Sequence, residues 1–288
     1  MNLTTRALLA ALVVLTAWYL WRWIAIERRH ADGGSRRPRT VDVIIGFVTD
    51  FFDALGIGDF APTTAAFKFW RRVADEEIPG TLNAGHALPT IVEALVFIAA
   101  VMVDPLTLVT MIAAAVAGAW WGAGIVSRLP TRAVRIGMGV ALLAAAALLL
   151  TAILGWVPAG GEANGLTGAR LLFAIGVNLV LGALMTIGVG LYAPCLILVS
   201  LLGMNPLAAF PIMMGSCAFL MPVSAVRFIE RRRYNMRAAL SLTLGGIPAV
   251  LIAAFLVKAL PLDWLRRLVL VVVLYAAVLM LLSARERR

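Results

Sequence analysis

The seven residues Gly56-Ile57-Gly58-Asp59-Phe60-Ala61-Pro62 return 132 positions later as Gly188-Val189-Gly190-Leu191-Tyr192-Ala193-Pro194, with both glycines, the alanine and the proline unchanged. Each copy interrupts an apolar stretch that otherwise reads as one long helix. Glycine leaves helical geometry at little steric cost, and proline withholds the N–H that a continuing helix needs. A chain with two such interruptions at matching positions is constrained to fold as two related halves.

Composition decides the solvent of those halves. The 288 residues are 62% hydrophobic and 14% charged, with a mean hydropathy of +0.96, too apolar for one soluble core to conceal. Runs near the roughly 20 residues that a bilayer requires are predicted at 3–26, 81–103, 106–127, 133–155, 206–226, 238–258 and 265–283. Two more, 42–70 and 171–202, carry the interruptions. In a membrane protein, paired broken segments of this kind are the sequence mark of a secondary transporter.

The first run has the basic start of a signal peptide, at Arg6. It is too long for one, ends in Trp18, Trp21 and Trp23, and lacks a small-residue cleavage pattern, so it reads as an uncleaved anchor. Arg22, Arg28, Arg29, Arg36, Arg37 and Arg39 follow, which places the amino terminus outside and the linker in the cytoplasm. If the two broken segments enter and return on one side, only Arg6, Arg170, Lys258, Arg266 and Arg267 of the 25 Lys and Arg fall outside. Full crossing by all nine segments spoils that bias. The net charge of +10 is therefore a matter of topology rather than a nucleic-acid patch. The expected location is a bacterial inner membrane, with the carboxyl terminus cytoplasmic.

Further anchors extend the duplication. Pro79 matches Pro211, Pro89 matches Pro222 after a one-residue slip, and Leu129-Pro130 matches Leu260-Pro261. Each half then holds one re-entrant hairpin and three spans, an odd number, so the halves lie inverted. The expected fold is all-α and polytopic: an anchor and basic linker at 1–41, repeat one at 42–157, an outer linker at 158–169 and repeat two at 170–288.

The paired Gly-x-Gly segments followed by proline, the second helix opening Ile78-Pro-Gly-Thr-Leu-Asn-Ala-Gly-His86, and the duplication together resemble the sulfite exporter TauE/SafE family, also called 4-toluene sulfonate uptake permeases. The resemblance covers about 42–283 and leaves out the first helix. It implies transport of small sulfur-containing or organic anions such as sulfite, thiosulfate, sulfoacetate and sulfonates, without a cofactor or resident metal. Where many members carry a third glycine, this chain has Asp59 and Leu191.

Anion transport suits such breaks physically. The first N–H groups of a helix lack intrahelical partners and carry about half a positive charge, so they hold an anion without a buried arginine. Gly56 and Gly58, with Gly188 and Gly190, let backbone approach the solute, while Pro62 and Pro194 start the returning half-helices. Thr63 and Thr64 follow in one copy and Cys195 in the other. From the second helix of each half, Thr81, Asn83, His86, Ser216 and Cys217 complete the expected lining. The alternative use of the glycines is close helix packing in lipid.

Repeat one also carries acids. Gly46, Asp50 and Asp53 share one helical stripe, and Asn83, His86, Thr90 and Glu93 another. A charge at mid-bilayer costs about 2.5–3.5 kcal/mol on insertion scales, so both stripes should face inward. Asp50, Asp53, Asp59 and Glu93 repel an anion unless protonated or paired. They are therefore expected to act with His86 as proton-coupling groups. The structural alternative is that Asp53 or Asp59 caps a half-helix and that Glu93 pairs with Lys68 or His86. Two cysteines in apolar helices read first as small packing residues.

Two other functions fit parts of the pattern. Gly56-Ile-Gly-Asp59 matches the Gly-x-Gly-Asp motif of intramembrane aspartyl proteases, with Asp50 or Asp53 as second acid, yet the glycines recur in repeat two without the acid. A divalent-cation carrier would use Asp53, Asp59, His86 and Glu93 as oxygen and imidazole ligands. A non-transporting membrane sensor or assembly factor lacks any soluble domain to support it.

Overall fold

The computed structural model describes residues 3–29, 37–156, 161–188 and 190–256, with five isolated positions beyond, from Leu270 to Leu282. The predicted span 265–283, the pair Leu260-Pro261, the outer part of the linker at 157–160, and the terminal arginines lie outside the described residues. What is described is all-helical. In chain order come α1 (Leu3–Arg29), α2 (Thr40–Ala54), α3 (Phe60–Phe69), α4 (Ile78–Gly85), α5 (Ala87–Ala100), α6 (Pro105–Val126), α7 (Thr131–Ile153), α8 (Gly168–Met185), α9 (Tyr192–Leu201), α10 (Ala209–Glu230) and α11 (Met236–Leu256).

Among these, α1, α6, α8, α10 and α11 are long and apolar enough to cross a membrane. The predicted span at 81–103 differs from expectation. It is two helices, α4 and α5, bent by 43° around His86. Pro79 accounts for the start of α4, where a missing N–H costs nothing, and Pro89 stands in the first turn of α5. In one continuous helix Pro89 would be interior and could not donate to the Gly85 carbonyl, which accepts from the Thr243 hydroxyl at 2.6 Å instead, so two short helices replace one long one.

Both predicted interruptions are breaks between helices. Leu55–Asp59 separates α2 from α3, and the segment from Thr186 to Leu191 separates α8 from α9. Gly56, Gly58 and Gly188 have φ of +80°, +91° and +102°, a region closed to most side chains. Pro62 and Pro194 each fall third in the returning helix, inside its first turn.

The most extensive contacts pair α2 with α11 and α6 with α8. Their backbones nearly touch. A methyl group at Gly46 would lie 2.5 Å from the Leu242 carbonyl, and one at Gly245 would lie 2.0 Å from that of Val43. At Gly182 the Ala115 carbonyl would be 2.1 Å away. With lipid on the outside, such glycine contacts let dispersion and backbone dipoles hold helices together. α10 runs through the centre, against α5, α6, α4 and α1, and its interior-facing residues are almost all buried.

Polar straps tie the helix ends. Asp104 caps α6 by accepting from the Thr107 N–H at 2.8 Å, and its own N–H donates to the Asn164 carbonyl at 2.8 Å. The linker thereby reaches the Met204–Asn205 turn, through Gly161 N–H to Met204 O at 2.9 Å and Asn205 N–H to Ala163 O at 2.8 Å. At the other end, Arg72 pairs with Asp42 at 2.7 Å, while Lys68 and Arg135 converge on Asp75 at 2.9 and 2.8 Å. Glu93 is thus not the partner of Lys68.

The anchor helix is fixed by a buried carboxylate. Glu27 accepts from the Tyr234 hydroxyl at 2.5 Å and from Arg232 at 2.7 Å, while Trp23 donates to Tyr234 at 3.0 Å. Arg22 adds an ion pair to Glu230. Because Glu27 is 4% exposed, Glu27→Ala leaves the buried Tyr234 O–H without its acceptor and is expected to cost about 1–3 kcal/mol. A detergent melting curve of the variant checks this, with Arg6→Ala as a control in the same helix.

Candidate functional site

The two breaks meet. Gly58, Asp59 and Asp53 from the first, and Gly190, Leu191, Tyr192 and Met185 from the second, line one cavity, which Thr90, Cys217 and Met221 close. It is narrow, with room at its centre for about one water molecule. Gly58 and Gly190 are the points of open approach, for a methyl group added to either would meet nothing within 4 Å.

Two half-helices start at this cavity. The first intrahelical bonds of α3 and α9 run from Thr63 N–H to Asp59 O and from Cys195 N–H to Leu191 O, both 3.0 Å. The N–H groups of Phe60, Ala61, Tyr192 and Ala193 precede those bonds and have no partner within their helices. Asp59 holds the N-cap position of α3 without a side-chain cap bond, so the expected cap is not made. Its carboxyl turns instead to the acid cluster.

That cluster is compact. His86 Nδ1 lies 2.9 Å from Asp50 Oδ1 and 3.3 Å from Asp59 Oδ2, and His86 Nε2 lies 3.1 Å from the Thr63 hydroxyl. Only the first and last of these are aligned as hydrogen bonds, which leaves Asp59 Oδ2 without a donor despite its closeness. Beyond it, Asp53 stands against Glu93 and Tyr192, whose hydroxyl donates to Glu93 Oε2 at 2.8 Å. Asp50, Asp53, Asp59, His86 and Glu93 are all at most 5% exposed. Asp50 Oδ2, Asp53 Oδ1 and Glu93 Oε1 have no hydrogen-bond partner.

Among the described residues, His86 is the cluster's single ion-pair partner. Four ionised carboxylates so placed would carry desolvation and mutual repulsion that one histidine and the Tyr192 hydroxyl offset only in part. Protons or a cation would relieve that cost. For a cation, Asp50, Asp59 and His86 each offer one ligand atom within 4.8 Å of the others.

Other expected lining residues do different work. Asn83 accepts from Ser224 at 2.7 Å and donates to the Pro79 carbonyl, Thr81 accepts from the Asn235 N–H at 2.8 Å, and Ser216 accepts from Asn178 at 3.2 Å. These bonds join helices away from the cavity. Thr64 is buried with its hydroxyl unpartnered. Gly56 packs against Phe210, and Cys195 is buried outside the lining while Cys217 is in it, 3.5 Å from Met185 Sδ.

The family model described as sulfite exporter TauE/SafE matches residues 2–149 and 170–288. The chain belongs to the sulfite exporter TauE/SafE family. This TauE/SafE protein is thus a membrane transporter, which leaves the protease reading without support. The match takes in α1, which the sequence resemblance had left out, and omits the outer linker. No curated protein and no solved structure matches the chain.

In this TauE/SafE chain, Tyr192 was missed as a site residue. It occupies the place of Phe60 in the second copy of the motif, and a hydroxyl introduced at a buried repeat position is a polar group needing a partner. Met185 and Met221 carried no signal beyond apolarity.

Proposed function

We propose that this protein is a secondary transporter of a small sulfur-containing anion of the sulfite, thiosulfate or sulfonate class, loaded at the cavity where the two breaks meet and coupled to protons. The observation that carries the reading is that Gly58 and Gly190, from breaks 132 residues apart, both open on one cavity beside two helix starts. The amides there favour negative charge. Asp53 and Asp59 in the same wall oppose it, so loading requires that they be neutral or paired. Asp50, His86 and Thr63 form a bridged chain, and Asp53, Glu93 and Tyr192 form a second, each able to take up a proton as the anion enters.

The halves are read as inverted repeats, 42–157 and 170–288, each with one broken segment, in a bacterial inner membrane with the amino terminus outside. The matched breaks and the reciprocal pairing of α2 with α11 and α6 with α8 support this. The narrow cavity corresponds to a closed state, and entry of an oxyanion larger than water requires it to widen.

The test uses full-length protein in liposomes loaded with sulfite, thiosulfate or a sulfonate. Lower pH on the loading side is expected to accelerate uptake, because protonation removes the opposing charge. Asp50→Asn, Asp53→Asn, His86→Ala and Glu93→Gln are each expected to blunt that dependence. Unchanged proton dependence in all four removes the coupling. Stabilisation and transport by nickel, cobalt or manganese, with no response to the anions, would replace the anion reading with the cation one that Asp50, Asp59 and His86 permit.

A further inference from the structure

An arginine without a carboxylate partner among the described residues lies apart from the cavity, where α10 packs against α6. Arg227 stands one turn before the end of α10, and its guanidinium carbon sits 3.6 Å from the centre of the Trp120 ring on α6. Its Nε is buried without a hydrogen-bond partner. Among the described residues no carboxylate pairs with it, since Glu230 is taken by Arg22 and Asp75 by Lys68 and Arg135. A cation in a spanning helix that is stacked yet unpaired has donors to spare.

The surroundings define what those donors meet. On α6, Gly124 lies beneath the guanidinium, where a methyl group would stand 3.5 Å from Nη1, in ordinary contact with it. Trp120 is 45% exposed, Trp121 62% and Ile125 63%, an apolar surface that faces acyl chains in a membrane protein. Trp beside Arg at a helix end is the pattern of a membrane–water interface. Arg128 follows the end of α6, and Arg233, which donates to the Leu129 carbonyl at 3.4 Å, has Glu77 as its acidic neighbour, so Arg227 is the rim's unpaired cation among the described residues.

We propose that Arg227, stacked on Trp120 and rimmed by Arg128 and Arg233, binds the phosphate of an anionic phospholipid headgroup in the leaflet at that end of the helices. The charge is complementary, the guanidinium is held against the Trp120 ring, and the exposed tryptophans accommodate the acyl chains. The floor of the corner, Ala123, Val126 and Phe228, packs against Ile187 in the break between α8 and α9. The lipid therefore abuts the element that opens the cavity.

The experiment compares the melting of purified full-length protein in detergent with added phosphatidylglycerol or phosphatidylcholine. Wild type is expected to prefer phosphatidylglycerol, with an apparent affinity about tenfold higher than that of Arg227→Gln. Trp120→Leu, at an exposed position, is expected to lose about threefold. It keeps the test alive if the arginine variant does not fold. Equal stabilisation of wild type by the two lipids overturns the proposal, as does an undiminished preference in the variants. An Arg227-dependent shift produced by inorganic phosphate or sulfite alone, with none added by the lipid, overturns it in favour of a soluble oxyanion. Since sulfite transport by Asp50→Asn is read in a different assay, failure here leaves the proposed function intact.

Discussion

Gly190→Val is expected to abolish most transport, by roughly tenfold or more, while leaving the protein folded. The reason is local. A methyl group built on Gly190 meets nothing within 4 Å. The added carbons therefore enter the cavity, whose centre has room for about one water. Gly58 faces the same open space, and its φ of +91° makes Gly58→Ala strained by about 1–3 kcal/mol. Uptake into liposomes, read beside a melting curve, separates the two effects. A folded Gly190→Val that transports at the wild-type rate would mean that solute does not pass this cavity.

Much of this arrangement was legible in the sequence because the deciding residues carry backbone constraints. Gly56, Gly58 and Gly188 adopt conformations that favour glycine, and Pro62 and Pro194 cannot sit in a helix interior without cost, so two breaks at matched positions followed from composition and spacing alone. The inward placement of Asp50, Asp53, Asp59, His86 and Glu93 was legible for a similar reason: lipid penalises every other placement. What the pattern did not reveal was which polar residue meets which. Asn83, Thr81 and Ser216 share helical stripes with the site yet spend their bonds on Ser224, Asn235 and Asn178, because helix crossing, invisible in a single stripe, decides the neighbour. The bend at His86 was missed because the span 81–103 was read from its apolarity, although Pro89 inside it cannot donate to the preceding turn.

The acid cluster gains from that bend. With His86 at the junction of α4 and α5, its ring reaches Asp50 on α2 and Thr63 on α3 together. A straight helix would direct it to one of them. This geometry was beyond reach of periodicity, which assumes an unbroken axis.

Gly118→Val is expected to be the most damaging single change to the fold, at more than about 4 kcal/mol. A methyl group there would lie 1.8 Å from the Leu179 carbonyl oxygen, and the obstacle is backbone, which has no alternative rotamer to adopt. Gly176→Ala is the control on the facing helix: its site has nothing within 4 Å, so a neutral or slightly stabilising outcome is expected. Thermal melting and monodispersity in detergent read both. Equal melting of Gly118→Val and wild type would show that α6 and α8 do not meet at this distance. The contact also bears on movement. In the repeat reading, α6 belongs to the first half and α8 to the second, as α2 and α11 do in the other close pair, so each tight seam joins the two halves. Sliding one half past the other would break both seams at once. In that reading, any movement that opens the cavity while both glycine seams stay closed must carry α2 with α11 and α6 with α8.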